Sequence, residues 1–104
     1  MTTDSFVTMQ EETDTGIRFI ARGHINTINA TALQYDLEEA ISKGEKNIVL
    51  NMTQVDFLSS SGIRVVLKAY KTLEKSGGRF RIERPSENVR NVLGITALEG
   101  MLMK

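Results

Sequence analysis

Short apolar stretches alternate with amphipathic ones along the chain, and the period of the pattern changes with them. Phe6, Val7 and Met9 mark a short strand over residues 5–10. A polar turn, Glu11-Glu12-Thr13-Asp14-Thr15-Gly16, leads to residues 17–21, where Ile17, Phe19 and Ala21 share one face. Two strands joined by a short polar turn form a hairpin. Gly23 closes the second strand, residues 24–29 read as a loop, and Asn29 is the candidate N-cap of a helix. Ala30, Leu33, Leu37, Ala40 and Ile41 then recur at helical spacing up to Lys43-Gly44, a basic residue followed by a stop glycine.

The run Ile48-Val49-Leu50 within residues 47–52 fits a central strand covered on both faces. A second apolar patch, Val55-Asp56-Phe57-Leu58, precedes the turn Ser59-Ser60-Ser61-Gly62. Ile63, Val66, Leu67, Tyr70 and Leu73 mark a second helix that ends at Ser76-Gly77-Gly78. Residues 79–83 alternate Phe80 and Ile82 with charge, as a strand does. Pro85 interrupts the chain, and residues 86–93 fit a short helix with Val89, Val92 and Leu93 inward. Residues 94–104 carry Ile95, Leu98, Met101, Leu102 and Met103 and suit a short helix, a strand, or both. The order β-β-α-β-α-β-α predicts an α/β fold: a mostly parallel sheet with right-handed crossovers and one antiparallel N-terminal strand. At 104 residues the chain is expected to form one domain, residues 1–104.

Composition narrows the function. Lys plus Arg and Asp plus Glu are 13 each, so the net charge is zero and the basic footprint of a nucleic-acid binder is missing. The absence of cysteine excludes disulfides, thiolate nucleophiles and Cys-based zinc sites. His24 is the sole histidine, so no multi-histidine metal site forms, and no cofactor is expected. Met1 to Asp4 are polar, and no apolar run approaches the length of about 20 residues that spans a bilayer. The expectation is a cytoplasmic protein without membrane insertion.

Enzyme signatures are missing too. Neither Gly-x-Gly-x-x-Gly nor Gly-x-x-x-x-Gly-Lys occurs. A serine hydrolase needs a base at its nucleophile, and His24 reads as a surface or loop histidine. The pairs Glu11-Glu12 and Glu38-Glu39 read as solvated, because adjacent carboxylates point in different directions.

The serine turn carries the most information. A serine hydroxyl can accept from a free N–H in a helix's first turn, and position alone favours that capping role. Three serines exceed what one cap needs, and no Glu or Gln stands three residues after any of them to complete a capping box. The same free N–H groups and the positive dipole end also suit a phosphate. A phosphoserine there, carrying about −1.5 to −2 charge at pH 7, would repel a docked partner without unfolding the domain. Arg64, Lys68, Lys71 and Lys75 form a stripe at helical spacing. It reads as a solvated face, or as a basic rim that steers an acidic partner.

Taken in order, these residues resemble the STAS domains, in particular the bacterial anti-sigma factor antagonists. The resemblance lies in Asn47-Ile48-Val49-Leu50-Asn51 followed by Val55-Asp56-Phe57-Leu58-Ser59-Ser60-Ser61-Gly62-Ile63. Gly23-His24-Ile25-Asn26 is similar to that family's Gly-Glu-Leu-Asp, and Lys75-Ser76-Gly77-Gly78-Arg79-Phe80 to its Gly-Gly before a strand. Val89, Val92, Leu93 and Thr96-Ala97-Leu98 are similar to its last segment. The resemblance implies a right-handed βα superhelix and partner switching. The unphosphorylated form would bind an anti-sigma factor serine kinase, phosphorylation would release it, and a cognate phosphatase would restore the cycle. Ser60 matches the phosphorylation site and Asn26 a kinase-docking position. Ser59, Ser61, Gly62 and Arg64 would contact the partner around them. Three acids common in the family are replaced, by Ser59 immediately before the acceptor, by Asn26 and by Asn51. Their loss suits the alternative, a STAS module that is not phosphorylated and serves a signalling scaffold or a lipid-transport complex.

Overall fold

A computed structural model describes residues 6–95, with side chains to residue 91. The elements are β1 (Phe6–Glu12), β2 (Ile17–Ile25), α1 (Thr27–Ser42), β3 (Asn47–Leu58), α2 (Ser60–Lys75), β4 (Arg79–Glu83) and α3 (Glu87–Ile95). They form one sheet in the order β1-β2-β3-β4. The β1–β2 pair is antiparallel, whereas β2–β3 and β3–β4 are parallel. The expected α/β class with a single antiparallel strand is therefore the observed one.

One sheet face builds the core. Ile17, Phe19, Ala21, Ile48, Leu50, Phe80 and Ile82 are buried there, with Leu33 and Leu37 of α1 and Val66 and Leu73 of α2 in the same cluster. The other face is polar and part-exposed. Arg18 reaches from β2 to Glu83 on β4, Nε to Oε1 at 2.9 Å, and to Glu11 on β1, Nη1 to Oε1 at 2.7 Å. Asn51 donates to Glu83 at 2.9 Å. The Asn51 hydrogen bond, then that of Arg18, holds the Glu83 carboxyl below its ordinary pKa against the opposing cost of burial. Val49 lies in this row and is only half-buried, so β3 is not covered on both faces as its apolar run suggested.

Three boundaries differ from the sequence expectation. The strand β1 extends to Glu12, because Glu11 and Glu12 ladder with Arg18 and Ile17, and the turn shrinks to residues 13–16. The strand β3 is continuous over what read as two apolar patches. Its buried positions run Ile48, Leu50, Met52, then Val55 and Leu58. The register shifts against β2 at Ile20/Arg22 and Gly23/His24 absorb that change of phase. The strand β2 also runs on to Ile25, which turns most of the expected 24–29 loop into strand and helix. Most of the C-terminal tail, and the side chains of Val92 and Leu93, lie outside the described residues. No described helix is long and apolar enough to cross a membrane.

Candidate functional site

Parallel strands deliver their C-terminal ends to one edge of the sheet, and helices α1 and α2 both start there. Asn26 starts α1. Its backbone is extended, its Oδ1 accepts from the Asn29 amide at 2.8 Å, and its carbonyl accepts from Ala30 at 2.9 Å. Asn26, not Asn29, is therefore the N-cap. Asn29 already lies in the first turn and sends its Nδ2 back to the His24 carbonyl at 2.7 Å.

Ser59 starts α2 in the same way, with extended backbone and Oγ accepting from the Gly62 amide at 3.1 Å. An Asp at that position would accept the same bond, so Ser59 supplies the capping oxygen without the charge. Its own amide donates to the Ile25 carbonyl at 2.8 Å. Gly62 is buried where the first turn of α2 meets Ile25 and Leu58. The turn is thus fixed from three sides, and the serines take distinct places. Ser59 caps, Ser60 is the first helical residue and exposed, and Ser61 is half-buried toward α1. Among the described residues neither the Ser60 nor the Ser61 hydroxyl makes a hydrogen bond. The first turn of α2 holds no acidic residue. Arg64 stands one turn further on, exposed, and shares a groove with Ser61, Thr27 and Thr31. The sequence-proposed residues Asn26, Ser59, Ser60, Ser61, Gly62 and Arg64 therefore gather at one end of the molecule.

Sequence reading missed part of this end. His24 and Phe57 lie side by side on β2 and β3, ring centroids 6.1 Å apart. His24 Nδ1 is 2.6 Å from Asp56 Oδ1. Phe57 remains 48% exposed and Ile28, in the first turn of α1, 81% exposed. Both are large apolar groups left in water, Phe57 two residues before Ser59 and Ile28 two residues after Asn26. The signal was available for Ile28, which falls off the Ala30-Leu33-Leu37 stripe. It was hidden for Phe57 because its neighbour Leu58 is buried in the same apolar patch.

The STAS domain family model matches residues 8–103. The chain belongs to this family. BtrV of Bordetella bronchiseptica is 35% identical over 75 residues, 72% of this chain and 65% of that protein. The anti-sigma F factor antagonist of Paenibacillus polymyxa is 26% identical over 77 residues, 73% of this chain and 66% of that one. The match thus spans just under two thirds of the length of these relatives. Among solved structures, the anti-sigma factor antagonist SpoIIAA in its unphosphorylated form has a TM-score of 0.82 at 24% identity, covering 93% of this chain and 86% of that one. The Bacillus cell fate determinant SpoIIAA in its phosphorylated form has a TM-score of 0.76 at 24% identity, covering 93% and 89%. That likeness is one of fold. In this STAS domain, the absence of a side chain at Gly62 lets the first turn of α2 lie against Ile25 of β2 and Leu58 of β3.

Proposed function

We propose that this STAS domain is an anti-sigma factor antagonist that works by partner switching at Ser60. Unphosphorylated, it binds a kinase-type anti-sigma factor through the edge that carries Asn26, Ser59, Ser61, Gly62 and Arg64. Phosphorylation of Ser60 releases it, and a phosphatase resets it. The observation that carries this reading is the division of labour in the serine turn. Ser59 takes the cap, so the exposed Ser60 hydroxyl is free for transfer without cost to the helix. The relatives support it: one is named an anti-sigma factor antagonist, and SpoIIAA has been solved both with and without phosphate. The exposed Phe57 and Ile28 supply apolar contact area for a partner, and the added phosphate charge opposes its docking.

The test is incubation with the cognate kinase, ATP and Mg²⁺, read by intact mass and peptide mapping. One phosphate on Ser60, abolished by Ser60→Ala, is the expected result. A phosphate on Ser59 or Ser61 would overturn the site assignment. No phosphate at all would favour the second reading, an unphosphorylated STAS subunit of a scaffold or lipid-transport complex, for which Ser59 in place of the family's acid is the favouring observation.

A further inference from the structure

Among the described residues the sheet ends in two edge strands, and they differ. The edge strand β4 is five residues long and carries Arg79 and Arg81, the short and charged form by which natural edges avoid pairing with another chain. The edge strand β1 runs seven residues, Phe6 to Glu12, in unbroken register with β2. It contains no proline, glycine or basic residue, and its two glutamates, Glu11 and Glu12, stand only at its C-terminal end.

The hairpin fixes where the backbone groups of β1 point. The Thr13 amide donates to the Gly16 carbonyl at 2.9 Å, and residues along an antiparallel pair alternate between hydrogen-bonded and non-hydrogen-bonded. Val7, Met9 and Glu11 therefore turn their amides and carbonyls toward β2. Phe6, Thr8, Gln10 and Glu12 turn theirs outward, and among the described residues nothing bonds to those outward groups. The side chains alternate too. Thr8 faces α1, where its Oγ1 donates to Asp36 Oδ2 at 2.6 Å. Val7 and Met9 lie on the other face, 49% and 56% exposed, and Met9 pairs with the half-buried Ile20.

We infer that β1 pairs antiparallel with β1 of a second copy of this chain, two-fold about Met9, so that two sheets become one. The outward groups restrict the ladder to bonds between even-numbered residues of the two strands. Among those registers, the one that sets Phe6 against Glu12 and Thr8 against Gln10 pairs every residue of β1. It brings Met9 against Met9 of the copy with an Ile20 behind each, an apolar row across the junction. It also brings Glu11 of the copy against Val7, whose neighbour on β2 is Arg22, exposed and without a carboxylate partner among the described residues. A parallel copy in register would set each glutamate against itself, and like charges directly opposite are destabilising. The pattern of the strand thus selects its own copy in a two-fold arrangement. Pairing uses up both β1 edges and leaves the arginine-bearing β4 edges outside, so assembly stops at two. Antiparallel pairing also turns the two serine turns to opposite ends of the dimer. Association therefore leaves Ser60 uncovered and does not depend on its phosphorylation.

A single edge pairing is a small interface, under the roughly 1,200 Å² of stable complexes, so the dimer is weak and concentration-dependent. The experiment is sedimentation equilibrium of the full chain from about 10 µM to about 1 mM, the range in which such interfaces associate. The wild type should pass from monomer toward dimer. Met9→Lys and Met9→Glu each change a side chain exposed in the monomer, and urea unfolding checks that both remain folded. Each should weaken dimerisation about tenfold, because like charges then meet on the two-fold axis. An equimolar mixture of the two variants should regain it, since lysine then faces glutamate. Hydrogen exchange on the wild type reads the ladder itself. At high concentration the amides of Thr8 and Gln10 should gain protection, whereas those of Val7 and Met9, already bonded to β2, should change little. A monomer throughout, a dimer indifferent to Met9→Lys, or a mixture no stronger than either variant alone would overturn the inference. So would species larger than a dimer, or protection gained at Val7 and Met9 rather than at Thr8 and Gln10.

Discussion

The amide of Ser59 donates to the carbonyl of Ile25 at 2.8 Å, so the start of α2 is tied to the end of β2 across the sheet edge. Gly62 completes that junction from the helix side. A Cβ on Gly62 would stand 2.7 Å from Ile25 Cγ2 and 2.7 Å from Leu58 Cδ1. Both neighbours are buried and cannot swing away.

Gly62→Ala should therefore destabilise the fold, by up to about 2 kcal/mol. Alanine gains about 1 kcal/mol over glycine in helix propensity, but overpacking a filled site costs about 1–3 kcal/mol. Urea unfolding measures the difference, and a more stable variant would show that the first turn of α2 can lift off Ile25. The same substitution should loosen the placement of Ser60, seen as faster amide exchange in residues 60–64.

Asn26→Ala should cost about 1 kcal/mol, because the Asn29 amide loses its acceptor, and Asn29→Ala should cost less. The contrast between the two variants distinguishes the observed cap from the alternative three residues on. A larger loss at Asn29 in urea unfolding would place the cap there instead.

That pair shows where sequence reading reaches its limit. Element order, the helix stops and the core stripes follow from local period, and they are read directly from residues such as Leu33, Leu37, Phe80 and Ile82. Asn26 and Asn29 are both good caps by type. What separates them is that β2 runs on to Ile25, a consequence of pairing with Leu58 more than thirty residues away. The continuity of β3 was hidden for the same reason, since its phase change is absorbed by shifts in register with β2. The serine turn was legible as a helix start, but not which serine caps. The Arg18–Glu83 pair bridges strands that only the sheet order brings together.

Glu83 should make the fold acid-sensitive. The hydrogen bonds from Asn51 and Arg18 favour its ionised form, so its folded pKa lies below the ordinary value near 4.5. The unfolded chain then binds the proton more readily, and stability rises with pH. The contribution is complete above the unfolded value and is lost as pH falls from there through the folded one. Glu83→Gln should lower stability by about 1 kcal/mol at pH 7 and flatten this part of the acid profile. Urea midpoints across pH 2–7 read the effect, and identical slopes in the two proteins would show that Glu83 is not the titrating group.

Ser60→Glu should stabilise the helix start while weakening partner binding. The first turn of α2 holds no acidic side chain to meet the positive dipole end, and Arg64 lies four residues on. A carboxylate at position 60 meets both, worth about 0.5–1 kcal/mol at low salt and less at high salt. Arg64→Ala in that background should remove part of the gain. A destabilised Ser60→Glu protein would mean that charge at this position acts by disrupting the turn.

The replacement of the family's acid by Ser59 can be tested by separating its two roles. As a cap, Ser59 offers one oxygen to the Gly62 amide, and an aspartate offers the same acceptor with a charge the helix dipole favours. Ser59→Asp should therefore leave stability unchanged or raise it by up to about 0.5 kcal/mol, whereas Ser59→Ala should lower it by about 1 kcal/mol. Phosphorylation of Ser60 reports on the second role. If the acid's role in relatives is only to cap, the wild type and Ser59→Asp proteins will accept phosphate at equal rates, and Ser59→Ala will lag in proportion to its loosened turn. If a carboxylate also orients the kinase, Ser59→Asp will be the faster substrate at equal stability. The first outcome is expected here, because the geometry already gives Ser59 the full capping contact and leaves the neighbouring hydroxyl exposed. Initial rates measured beside unfolding midpoints distinguish the two.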